Sequence, residues 1–249
     1  MNNILWTILG VSLPFISTAI GASFVLFFKK NSKNFQNIAL SLSAGIMLAG
    51  AFFSLIIPAI EMSQEQNIPS YLPVGFGIIA GVLFLFLAEW VLLRYNKFKN
   101  KNFTLVTAIT LHNLPEGMVV GLAFGIFLLS PSTATLTAAL SLSIAISIQN
   151  IPEGTSISMP LRAKGTAPAK AFLCGVLSGI VEPIGAVLAI LLVDLISAVL
   201  PFLLAFSAGC MIFVVIKELI PESQESNKVL STIFFFIGFL FMLILDTTL

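Results

Sequence analysis

The chain has 249 residues, 58% of them hydrophobic and only 9% charged, with a formal net charge of +1 and a mean hydropathy of +1.07. A soluble domain carries about 25% charged residues, and so few ionisable groups could not cover a water-facing surface. That excludes a soluble enzyme, a nucleic-acid binder and a disordered chain, and it leaves an integral membrane protein in contact with the lipid bilayer.

Eight stretches reach the roughly 20 apolar residues that a span requires. They cover roughly 4–28, 36–60, 72–93, 104–129, 133–160, 168–194, 200–220 and 229–247. The first has no basic segment before it and is longer than the apolar core of a secretory signal, so it reads as a span and not as a cleaved leader. The fourth and fifth are separated only by Ser130-Pro131-Ser132, which predicts a tight antiparallel hairpin. Lys29, Lys30 and Lys33 follow span one, and Arg94, Lys97, Lys99 and Lys101 follow span three. Arg162, Lys164 and Lys170 follow span five, and Lys217 and Lys228 lie at and beyond the end of span seven. All twelve Lys and Arg are then placed, and the alternate loops hold none. The positive-inside rule puts both termini outside the cytoplasm of a cytoplasmic membrane.

Ser43-Ala44-Gly45-Ile46-Met47 in span two is echoed by Ser207-Ala208-Gly209-Cys210-Met211 in span seven, and each run leads to a proline with acids beyond it. Five spans separate the pair, so the two helices run in opposite directions, as in the inverted repeats of secondary transporters. Small residues also recur at any helix packing interface. Cys174 and Cys210 stand in apolar runs and read as packing residues, not as a disulfide framework. The single histidine, His112, excludes a multi-histidine metal site.

Ionisable groups inside spans are costly and face a partner or an aqueous path. Span four contains His112-Asn113-Leu114-Pro115-Glu116-Gly117, and span five contains Gln149-Asn150-Ile151-Pro152-Glu153-Gly154. The two hexads match position by position at a spacing of 37 residues. Spacings of three and four put His112, Asn113 and Glu116 on one helix face, and Gln149, Asn150 and Glu153 on another. Pro115 and Pro152 cannot donate to the carbonyls of Leu111 and Ile148, which predicts a kink and a free carbonyl in each helix. Span six adds Glu182-Pro183. Counting at 1.5 Å per residue places Glu116 and Glu182 roughly 20 Å from the cytoplasmic ends of their spans. Glu153 lies roughly 30 Å from the outer end of the longer span five, whose tilt would let the three meet in the inner half of the bilayer. Three carboxylates in a low dielectric repel one another unless a cation sits among them. One imidazole among oxygens suits Zn²⁺, Fe²⁺, Mn²⁺ or Cd²⁺ better than a thiolate-seeking Cu⁺.

The two hexads resemble the signature helices of the ZIP (Zrt/Irt-like) divalent-metal transporters. A glutamine opening the second motif, followed by Pro160-Leu161-Arg162-Ala163-Lys164-Gly165, resembles the bacterial GufA-like branch. The resemblance covers essentially the whole chain. It implies an all-α polytopic protein of eight transmembrane helices in a single domain, with helices 1–3 and 6–8 as an inverted repeat around a central 4–5 hairpin. It further implies import of zinc, and of iron, manganese or cadmium beside it, through a binuclear metal site. The resemblance implies no catalytic residue and no prosthetic group, the bound metal being the substrate. By the resemblance, His112, Glu116, Gln149 and Glu153 hold one metal. Asn113, Asn150 and Glu182 hold the second, with Glu116 and Glu153 as bridges. Where many members read His-Glu-x-x-Pro-Glu at the end of span seven, this chain reads Lys217-Glu218-Leu219-Ile220-Pro221-Glu222, which leaves Glu218 as the inner exit ligand. The stretch Tyr95 to Phe103 contains no histidine-rich metal-sensing loop. A homodimer is compatible with the family and no nucleic-acid partner is expected.

Other polar residues have plainer readings. Glu89 is expected to pair with Arg94 at the cytoplasmic surface, and Asp246 to be terminal and solvated. Glu61, Glu65 and Asp194 read as solvated charges of the outer face, and Ser141, Ser143 and Ser147 as small packing residues. The competing functional classes are an intramembrane zinc-dependent hydrolase and a passive cation channel. The hydrolase lacks a His-Glu-x-x-His motif and the nitrogen-rich zinc site that usually accompanies it.

Overall fold

The computed structural model describes residues 2–27, 33–94, 101–225 and 227–248. Lys29, Lys30, Lys97 and Lys99 lie outside the described residues, as do the side chains of Lys33, Lys101, His112 and Asp194. The described chain is helical throughout: α1 (Asn3–Phe27), α2 (Lys33–Gly50), α3 (Ile57–Glu65), α4 (Tyr71–Arg94), α5 (Lys101–Leu129), α6 (Thr133–Ala163), α7 (Pro168–Gly179), α8 (Val181–Leu191), α9 (Val193–Val214), α10 (Ile220–Ser223) and α11 (Lys228–Thr248). Two π-helical segments interrupt this pattern, π1 (Ala51–Ile56) between α2 and α3 and π2 (Val215–Leu219) between α9 and α10. Seven of the resulting rods are long and apolar enough to cross a membrane, and α5 adds a shorter apolar stretch, Asn113–Leu129. The chain is an all-α polytopic membrane protein. Large apolar side chains such as Phe76, Phe86, Phe236 and Ile244 lie exposed on its exterior, which hydrocarbon tolerates and water does not.

Prolines shape the interruptions. Pro183 cannot donate to the Gly179 carbonyl, and the sixth span breaks there into α7 and α8. Pro115 and Pro152 lie within α5 and α6, which run on past them without a break in the helical assignment. The π segments precede Pro58 and Pro221, which deny an α-helical donor to the carbonyls of Ser54 and Lys217. The wider turn closes with i to i−5 bonds, Ile57 N–H to the Phe52 carbonyl and Ile220 N–H to the Val215 carbonyl. At the α5–α6 turn, the Ser132 hydroxyl accepts from the Thr135 N–H at 3.1 Å while the Thr135 hydroxyl accepts from the Ser132 N–H at 3.1 Å, a reciprocal cap that starts α6 where the hairpin was predicted.

The inverted repeat is written into backbone contacts. Helix α1 packs on α6 as α8 packs on α5, and α11 packs on α2 as α4 packs on α9. Gly21 lies against the Ile151 carbonyl and Gly185 against that of Leu114. Gly154 lies against the Thr18 carbonyl and Gly117 against that of Glu182. In the other layer, Gly45 meets the Phe235 carbonyl as Gly209 meets that of Ile78, and Gly238 meets the Leu42 carbonyl as Gly81 meets that of Phe206. Residues of the first and sixth spans, and of the second and seventh up to the π segments, correspond at an offset of 164, which falls to 163 within and beyond the π segments. The hexads correspond at 37, and the third and eighth spans at 157. None of these contacts has room for a Cβ, so the helices approach at carbonyl distance. Two four-span units result, one of α1, α5, α6 and α7–α8, the other of α2–π1–α3, α4, α9–π2–α10 and α11.

Candidate metal site

The hexads meet α8 in the first unit. Asn113, Glu116, Gln149, Asn150, Glu153 and Glu182 are each no more than 1% exposed, so six ionisable or amide side chains are withdrawn from solvent together. Glu182 is the hub. Its Oε1 accepts from Thr18 Oγ1 at 3.0 Å and from Asn113 Nδ2 at 3.2 Å, and its Oε2 accepts from Asn150 Nδ2 at 2.9 Å. Asn113 Nδ2 also lies 3.4 Å from the Ser178 carbonyl. The Glu153 carboxylate interacts electrostatically with that of Glu182.

A carboxylate only accepts hydrogen bonds, so both asparagines turn their nitrogens to Glu182 and their oxygens away. Asn113 Oδ1, Asn150 Oδ1 and both polar atoms of Gln149 are buried without a hydrogen-bond partner among the described residues. Each such atom costs about 1–3 kcal/mol if nothing replaces water. Amide oxygens beside carboxylates are suitable ligands for a hard or borderline divalent cation, which would relieve that cost. Gly50 leaves room for this arrangement, because a Cβ there would collide with Gln149 Oε1.

The structure therefore brings together Asn113, Asn150 and Glu182, and it buries Glu116, Gln149 and Glu153 on the same hexads. His112 stands one turn before Glu116 on α5, with its side chain outside the described residues. Among the described residues no three His, Cys, Asp or Glu side chains form a metal-holding cluster. Glu218 is half-buried in π2, in the other unit. Thr18 and Ser178 were missed by the sequence reading. Thr18 had a signal: Thr18-Ala19-Ile20-Gly21-Ala22 and Glu182-Pro183-Ile184-Gly185-Ala186 share the offset of 164, so the repeat partner of Glu182 is the residue that bonds it.

Two surface expectations are corrected. Glu89 pairs with Lys217, not Arg94, whose guanidinium lies 4.9 Å over the Trp90 ring. Packing of α4 on α9 delivers a lysine to Glu89, while the indole offers Arg94 a cation–π contact. Asp246 is not free in solvent but half-buried, its Oδ1 accepting from Ser54 Oγ at 2.7 Å because α11 packs on α2 and π1. Other expectations agree. Glu61 and Glu65 are exposed, Ser143 donates to the Gly10 carbonyl at 2.6 Å, and both cysteines are free.

Comparison with known proteins converges on one family. Residues 93–246 match the family described as ZIP Zinc transporter. "Zinc transporter GufA" of Myxococcus xanthus is 35% identical over 94% of both chains. "Zinc transporter ZIPB" of Bordetella bronchiseptica is 33% identical over 98% of this chain and 81% of its own. "Zinc transporter ZIP11" of Xenopus tropicalis is 30% identical over 98% of this chain and 97% of its own. With its duplicated hexads joined through Glu182 inside a two-unit inverted repeat, the chain belongs to the ZIP zinc transporter family, in its GufA-like branch.

Proposed function

We propose that this chain carries divalent metal across the cytoplasmic membrane into the cytosol, with zinc the principal substrate and iron, manganese or cadmium as alternatives. Both termini lie outside. One metal is held by His112, Glu116, Gln149 and Glu153, and a second by Asn113, Asn150 and Glu182, with Glu116 and Glu153 as bridges. Glu218 receives the ion on its way out. Alternating access between the two helix units moves the ion past the bilayer centre. The observation that carries the reading is the pair of hexads converging on one carboxylate with buried amide oxygens left without donors. An amide-rich set with at most one nitrogen binds moderately, and a transported ion must be released.

The test is ⁶⁵Zn uptake into proteoliposomes holding purified protein, beside the double variant His112→Ala/Glu116→Ala. Uptake by the parent alone supports the site, and competition by Fe²⁺, Mn²⁺ and Cd²⁺ ranks the substrates. Equal uptake by the variant overturns the site. Bound metal with no uptake by either protein, together with product release from a peptide or lipid substrate, supports the hydrolase instead.

A further inference from the structure

The units touch through two interfaces that the repeat makes equivalent, α2 on α6 and α9 on α5. Ser43 and Ser207 are repeat partners, as are Pro152 and Pro115. Across the first interface Ser43 Oγ lies 3.0 Å from the Pro152 carbonyl. Across the second, Ser207 Oγ is fully buried and has no hydrogen-bond partner among the described residues, so the matching bond to the Pro115 carbonyl is missing. An apolar cavity of about 200 Å³ lies between the units, lined by α5 and α6 of one and by π1, α3 and α9 of the other. Leu204 and Leu200 line it one and two turns before Ser207, and Val119 and Ala123 line it one and two turns after Pro115. One interface is thus docked through its serine and its repeat partner carries an idle hydroxyl, while the cavity between the units is lined from both interfaces.

We propose that Ser43 and Ser207 are alternating docking points between the units. In this state Ser43 holds α6 by the Pro152 carbonyl; in the opposite state Ser207 holds α5 by the Pro115 carbonyl and the cavity closes. A buried hydroxyl with no partner is costly, and an unfilled apolar void forfeits packing. Both are tolerable where a second arrangement uses the hydroxyl and fills the space. The exchange also leaves Ser43 provided for, since its hydroxyl lies 2.8 Å from the Ala39 carbonyl of its own helix and can turn there when α6 departs. These serines are positioning residues, and neither is among the proposed metal ligands. The proposal rests on the transport reading for its purpose, but its geometry stands on the repeat alone.

The test is a distance distribution by pulsed electron paramagnetic resonance on full-length protein in liposomes. Nitroxides go on Tyr71→Cys of α4 and Leu129→Cys of α5, exposed residues of opposite units, in a Cys174→Ser/Cys210→Ala background. Two distance classes are expected. Ser43→Ala shifts the population ratio one way and Ser207→Ala the other, each by about fivefold, the weight of one net hydrogen bond. The double variant returns to the parent ratio. An unchanged ratio in Ser207→Ala, a shift in the same direction as Ser43→Ala, or a single class insensitive to both overturns the proposal. Failure of the transport reading is separately visible, because a preparation that exchanges populations yet moves no ⁶⁵Zn keeps this inference and loses that one.

Discussion

Two ends of the molecule solve the same packing problem with different chemistry. Ser54 in π1 donates to Asp246 near the end of α11, and Lys217 in π2 pairs with Glu89 near the end of α4. Ser54 and Lys217 correspond across the repeat at an offset of 163, as do Pro58 and Pro221, and Asp246 and Glu89 correspond at 157. Each bridge ties a π turn to the helix packed against it. One is a neutral hydroxyl on a half-buried carboxylate; the other is an ion pair whose lysine is 38% and glutamate 16% exposed. The glycine contacts are shared by both halves because a carbonyl at that distance admits no side chain at all. The bridge positions differ in exposure, Ser54 being buried and Lys217 exposed, and each carries a donor that suits its surroundings. Repetition therefore preserves backbone geometry strictly and side-chain chemistry loosely.

That comparison can be broken at several strengths. Gly154→Val and Gly117→Val insert a branched side chain against the Thr18 and Glu182 carbonyls. Each is expected to cost about 3 kcal/mol or more and to abolish monodisperse protein in detergent, equally in both halves. A well-folded variant in one half alone would break the equivalence.

The next effect is unequal by design. Glu182→Gln replaces an acceptor-only carboxylate, facing two amide nitrogens, with a group that must also donate; ⁶⁵Zn uptake is expected to fall on the order of 100-fold. Thr18→Val removes only one donor to Glu182 and is expected to cost on the order of tenfold or less in the same assay. Comparable losses would make Thr18 a ligand in its own right. Gln149→His gives the second hexad the residue that opens the first. Calorimetric zinc affinity is expected to rise about tenfold, since an imidazole nitrogen binds zinc better than an amide oxygen. Unchanged affinity would remove Gln149 from the donor set.

The bridges should show the smallest effects. Ser54→Ala leaves the Asp246 carboxylate half-buried without its donor and is expected to cost about 1–2 kcal/mol in detergent unfolding, independent of salt. Lys217→Ala removes a partly solvated ion pair and is expected to cost about 1 kcal/mol or less, vanishing at high salt. A salt-insensitive loss at Lys217 would show that its ammonium over the Phe213 ring, 5.1 Å from the centroid, matters more than the ion pair with Glu89.

Much of the fold and of the site could be read in the chain before any coordinates. Hydropathy and basic residues marked the spans, because hydrocarbon demands about 20 apolar residues and long apolar runs have no other use. The hexads were legible because helical periodicity puts residues three and four apart on one face whatever surrounds them. The hydrogen bond from Thr18 to Glu182 was not, since it joins residues 164 apart. Its signal lay in a match between α1 and α8 too short to stand without the contacts that explain it.

Sequence alone determined the all-helical class, the eight apolar stretches, the α5–α6 hairpin and the residue types that face the interior. These follow from local rules: the length of a span, the period of a helix and the missing donor of a proline. Tertiary structure decided which carboxylate is the hub, that the sixth span is interrupted before Pro183 while α5 and α6 continue past Pro115 and Pro152, and that Glu89 answers to Lys217 across 128 residues of chain. Those outcomes depend on which helices meet at carbonyl distance. The meeting is set by glycines on both partners at once, and no single helix carries that information.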